Sequence, residues 1–67
     1  MPDRTVIGKR LRELRGSRSL AEVAKALEVS EVAVSLWERG ERMPSDDRKV
    51  KIANYYKRSV NSIFFKE

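Results

Sequence analysis

Only Glu28, Val29 and Ser30 separate two short amphipathic segments of this chain, and that link constrains the fold more than any other feature. Upstream of it, SLAEVAKAL carries Leu20, Val23, Ala24 and Leu27 on one helical face, with Ser19 and Glu22 spaced as a capping box. Downstream, Val29, Ala33, Val34 and Trp37 make a second apolar stripe, on a helix that Ser30 caps and Gly40 ends. Two helices joined so tightly must pack against each other at a steep angle, and the small side chain of Ala24 permits a close approach.

Three further segments carry the same period. TVIGKRLRELR places Ile7, Leu11 and Leu14 on one face, with Thr5 as the expected N-cap and Gly16 just past its end. SDDRKVKIANYY has Ser45 as N-cap, Asp46 and Asp47 in the first turn, and Val50, Ala53 and Tyr56 as the expected apolar stripe. A brief last helix in SVNSIFF, capped by Ser59, brings Ile63 and Phe64 to the core. No segment alternates with period two, so the expected architecture is all-α: a compact bundle of five short helices forming one domain over residues 1–67.

A chain of 67 residues buries only about 60% of the surface its unfolded form exposes, so that core must be small. Without cysteine it has no disulfide frame or thiolate metal site, and without histidine it lacks the commonest general base and metal ligand. Its carboxylates fall mainly on exposed helix faces, so an enzyme is not expected, nor a metal or cofactor. The N-terminal MPDRTVIGKR has no apolar run, and no stretch approaches the roughly 20 apolar residues of a membrane span; a cytoplasmic protein without membrane contact is expected.

Charge supplies the first functional cue. Fifteen Lys and Arg against ten Asp and Glu leave a net +5, the footprint expected of a nucleic-acid binder. The second cue is the back of the third helix, where Glu31, Val32, Ser35, Leu36 and Arg39 share a surface away from the Val34 and Trp37 stripe. A helix that met only water there would have little use for Val32 and Leu36. In a DNA major groove, Glu31 can accept from the exocyclic amine of cytosine, Ser35 can bond to a base or phosphate, and Val32 and Leu36 can pack on methyl groups. Arg39 can reach a phosphate or a guanine. Glu31 also suits the positive end of the helix dipole, and Trp37 belongs to the core stripe, away from base stacking.

Residues 7 to 65 resemble the XRE-type helix-turn-helix family that includes the phage repressors and Cro. The resemblance lies in IGKRLRELR, in SLAEVAKALEVSEVAVSLWERGERMPS, and in VKIANYY followed by SVNSIFF. Its most specific part is the run A-x-x-L-x-V-S-x-x-x-(I/V)-S-x-W-E-x-G-x-x-x-P from Ala24 to Pro44. It implies a lambda-repressor-like DNA-binding domain with the helix-turn-helix at about residues 19–40, the second helix crossing the backbone and the third reading the major groove. Carried over to this chain, the base-facing positions are Glu31, Val32 and Leu36, with Ala33 beside them and Ser35 nearby, while Arg39 and Arg42 hold phosphates. The family pairing of an arginine at the end of the first helix with the glutamate of W-E-x-G falls here on Arg15 and Glu38.

Two departures matter. Where the family often has a phosphate-touching glutamine at the start of the second helix, this chain has Leu20, and Arg18 or Ser19 is expected to substitute. Where the turn usually carries glycine or asparagine, this chain has Glu28, which meets a modest penalty in a left-handed backbone. With two apolar residues and one acid on the reading face, specificity is expected to rest on methyl contacts and DNA shape more than on many base hydrogen bonds.

The expected function is therefore sequence-specific binding of double-stranded DNA by a small prokaryotic or phage transcriptional regulator, a repressor in preference to an activator. Relatives usually bind as symmetric pairs, so a homodimer on an inverted-repeat operator is expected, with Phe65 as the candidate contact between copies. The alternative is a protein-interaction module such as an antitoxin or antirepressor partner, for which Val32 and Leu36 would also serve.

Overall fold

The computed structural model describes residues 2–67. Among them the chain forms five helices and no strand: α1 (Arg4–Arg15), α2 (Leu20–Leu27), α3 (Glu31–Glu38), α4 (Asp46–Tyr56) and α5 (Asn61–Phe65). Among the described residues no helix is long and apolar enough to cross a membrane. One core joins every element: Ile7 and Leu11 from α1, Val23, Ala24 and Leu27 from α2, Val34 and Trp37 from α3, Ile52, Ala53 and Tyr56 from α4, and Ile63 and Phe64 from α5.

Serine hydroxyls start the middle three helices. Ser19 accepts from the amide of Glu22 at 3.0 Å, Ser30 from Ala33 at 3.1 Å and Ser45 from Arg48 at 3.4 Å. Each satisfies one of the orphan donors of a first turn. α1 begins earlier than its sequence suggests, because Asp3 and not Thr5 is the cap: the Asp3 carboxylate accepts from Val6 at 2.9 Å. Aspartate is the stronger capping residue, and Thr5 is drawn into the first turn.

α4 departs from its expected stripe. Ala53 and Tyr56 are buried, but Val50 is 50% exposed and its place is taken by Ile52, at 1%. The Lys49 stem lies on the buried side as well, its ammonium 5.7 Å from the Phe64 ring centroid and 5.4 Å from that of Phe65. The row through residues 49, 52, 53 and 56 meets the rest of the bundle because a lysine can cover apolar surface with its methylenes and keep its charge at the edge.

α5 is a single turn of π geometry, closed by the Lys66 amide on the Asn61 carbonyl at 2.8 Å. Ser59 braces its start, accepting from Ser62 N at 3.1 Å, while the Ser62 hydroxyl donates to Ser59 O at 2.8 Å. Arg10 fastens its far end to α1 by donating to the carbonyls of Ile63 at 2.9 Å and Lys66 at 2.6 Å.

Candidate nucleic-acid interface

The turn between α2 and α3 is a Schellman closure. Val29 N donates to Ala24 O at 2.9 Å and Glu28 N to Lys25 O at 3.2 Å. It requires a left-handed residue, and Glu28 takes that conformation at φ 59°, ψ 44°. The Glu28 carboxylate then meets Lys51 of α4 at 3.4 Å, a surface pair that adds little energy but ties the turn to the next helix. Lys57 closes α4 by the same device, at φ 58°, ψ 46°.

α1 fixes the other end of α3 by three contacts. A Cβ at Gly8 would lie 2.4 Å from the Glu38 carbonyl oxygen and 2.9 Å from that of Trp37, so the absence of a side chain lets the two backbones touch. Gly40, at φ +73°, brings the chain leaving α3 against Arg4 and Thr5. Arg15 grips the Glu38 side chain with both prongs, Nε to Oε2 at 2.7 Å and Nη2 to Oε1 at 3.1 Å, where only 14% and 8% of the two side chains remain exposed. The hydrogen bond to Glu38 holds the Arg15 guanidinium above its usual pKa. Nearby, burial pushes the Tyr56 hydroxyl up to about 12, and the negative charge of Glu38 adds to the shift.

Held at both ends, α3 turns one face in and one out. Val34 and Trp37 are buried; Glu31 and Arg39 are exposed; Val32, at 66% exposure, is the most exposed of the large apolar side chains. Ser35 and Leu36 are half-buried beside them, whereas Ala33 leans against the core and lines a groove with Val29, Trp37, Met43 and Pro44. Five of the residues singled out on α3 thus stand at graded depth, with Glu31 and Val32 foremost.

The cationic and hydroxyl groups are more dispersed. Arg39 reaches back to Glu41 at 3.3 Å, both side chains more than half exposed. Arg42 lines the groove of about 360 Å³ between the starts of α3 and α4, together with Ser30, Ser45 and Arg48. Arg18 is turned the other way: its guanidinium donates to Leu14 O at 3.1 Å and lies 5.4 Å and 5.6 Å from the Tyr55 and Tyr56 rings. Ser19 accepts from its own helix, which leaves its hydroxyl proton to donate. Phe65 is 39% exposed, under the ammonium of Lys49.

Sequence reasoning passed over Arg48 and Gly8. Arg48 had a cue, a cation in the first turn of α4 where the dipole favours an anion. Gly8 sits mid-helix, where glycine is unfavourable by roughly 0.5–1 kcal/mol relative to alanine unless a close approach needs it. No curated protein matches the sequence. A family model for helix-turn-helix domains matches residues 9–63, spanning α2, the left-handed turn and α3 with the helices that brace them. With its five-helix bundle of the lambda-repressor type, the chain belongs to the XRE-type helix-turn-helix family of DNA-binding regulators.

Proposed function

We propose that the chain is a transcriptional repressor that binds double-stranded DNA by sequence, with α3 in the major groove. The observation that carries this reading is the outer face of α3: Val32 stands 66% exposed beside Glu31, on a helix whose inner face is wholly committed to the core. Glu31, Val32, Ser35 and Leu36 meet base edges, with Ala33 beside them. Arg39 and Arg42 hold phosphates on one side, with Arg48 next to Arg42; Ser19 and the start of α2 meet the backbone on the other, with Arg18 behind them. Two copies occupy an inverted repeat, Phe65 near their contact, and repression follows from excluding polymerase at the promoter.

The test is selection from a randomised duplex pool at two salt concentrations. A palindromic site should emerge, with affinity falling at a log-log slope of about −0.9 per phosphate neutralised. Arg39→Ala should weaken every duplex alike. If no sequence is enriched and binding is negligible at moderate salt, the face does not read DNA, and Val32 and Leu36 belong to a protein partner.

A further inference from the structure

The outer face of α3 is unusual in what it lacks. EVAVSLWE contains no Lys, Arg, Asn or Gln, so the Ser35 hydroxyl is its one side-chain donor apart from the Trp37 indole, which is buried. Guanine shows two acceptors in the major groove and is read by arginine or lysine; adenine is read bidentately by asparagine or glutamine. Neither partner is available on this helix. The guanidinium groups stand at its margin, Arg39 beyond the last turn and paired with Glu41, Arg42 in the groove beside Arg48.

Glu31 sharpens the restriction. Its carboxylate is exposed, and no hydrogen bond or ion pair engages it among the described residues. A carboxylate brought between two phosphate backbones is repelled; the helix dipole offsets part of this, and an exocyclic amine on a base supplies the hydrogen-bond partner. Adenine places the N7 acceptor next to its amine, against a second negative edge; cytosine places a C5–H there instead. Val32, the next residue, sets an apolar, χ1-restricted surface beside that acceptor, and Leu36 repeats the apolar surface one turn on. An acceptor flanked by an apolar group is the complement of a pyrimidine edge carrying an amine and a C5 substituent.

We infer that α3 reads pyrimidines: Glu31 accepts from the amine of a cytosine while Val32 and Leu36 take C5 methyl groups, so that C5 methylation of the operator strengthens binding. This rests on the groove-reading proposal above and adds to it the chemical class of edge recognised.

The experiment takes the selected duplex and, one position at a time, replaces thymine by uracil or cytosine by 5-methylcytosine, leaving every Watson-Crick pair intact. Affinities are measured at one salt concentration for the parent, Val32→Ala, Leu36→Ala and Glu31→Gln, each first shown by circular dichroism to be folded. Uracil at one or two positions should weaken parental binding about fourfold per methyl group lost, and 5-methylcytosine at the Glu31 contact should strengthen it by a similar factor. The methyl effects should vanish position by position in Val32→Ala and Leu36→Ala, and Glu31→Gln should shift the preferred base from cytosine towards adenine. A duplex bound selectively but indifferent to every such replacement overturns the inference while the groove-reading stands; so do methyl effects undiminished in both alanine variants. If no duplex is bound selectively, both fall together.

Discussion

At the scale of the residue, the Arg15–Glu38 pair has the most to lose. Both groups are largely withdrawn from water and hydrogen-bonded twice, so removing either strands the other's charge. Glu38→Ala is expected to cost about 3 kcal/mol in urea unfolding, and Arg15→Lys to recover little of an arginine deletion, since an ammonium cannot make the two-pronged contact. Tyr56 carries the pH dependence. Its native pKa of about 12 lies above the ordinary value of 10.0, so the native state holds the proton more tightly. The stability this provides is complete below pH 10, and it disappears as pH rises through the interval to about 12. Tyr56→Phe should remove that share of the alkaline loss, on the order of 2 kcal/mol, when unfolding free energies are compared at pH 9 and pH 12. The pair joins residues 23 apart in sequence, and no local spacing announces it; only the family likeness pointed to it.

At the scale of the element, what matters is how closely helices approach and how they end. Gly8→Ala would drive a methyl group into the carbonyl oxygen of Glu38, and because the atoms it meets are all backbone of Trp37 and Glu38, α1 must move off α3. A loss of about 2 kcal/mol is expected, with a lower thermal midpoint. Glu28 tests the opposite sign. Its left-handed backbone is one that glycine adopts freely, so Glu28→Gly should raise stability by about 0.5–1 kcal/mol in chemical denaturation, less any contribution from the Lys51 contact. The left-handed turn at Glu28 was legible only through the family likeness, in which that position usually carries glycine or asparagine. The buried row of α4 was not. Rows through Val50 and through Ile52 both contain Ala53 and Tyr56, and the buried row is the one whose Lys49 ammonium lies over the rings of Phe64 and Phe65.

At the scale of the whole molecule, dimensions and charge set the terms of assembly. The chain measures 29 × 22 × 22 Å between backbone extremes, while successive half-sites on one face of DNA are about 34–36 Å apart. On the proposed inverted repeat, two copies of these dimensions would meet only at their edges, through a small contact that DNA would reinforce. Sedimentation should therefore find single chains in free solution at micromolar concentration and pairs on the selected duplex, with Phe65→Ala lowering the cooperativity of loading and leaving the half-site affinity unchanged. Pairs equally stable without DNA would overturn the small, DNA-reinforced contact, and loading unaffected by the substitution would remove Phe65 from it.

What the sequence by itself determined is the set of local decisions. Serines at residues 19, 30 and 45 start helices because their hydroxyls find an amide three residues on. Apolar residues at helical spacing made a buried face, and a link of Glu28, Val29 and Ser30 forced α2 and α3 into one unit. The outward face of α3 was legible for the same reason: its inner stripe left Glu31 and Val32 nowhere else to go. Tertiary structure alone decided which of two rows of α4 is covered, that Gly8 is a point of backbone contact, that Arg18 folds back on two tyrosines, and that Arg10 secures α5 to α1. Each of these depends on what another helix brings to within a few ångströms, and periodicity along one helix records only which side is apolar, never which neighbour will meet it.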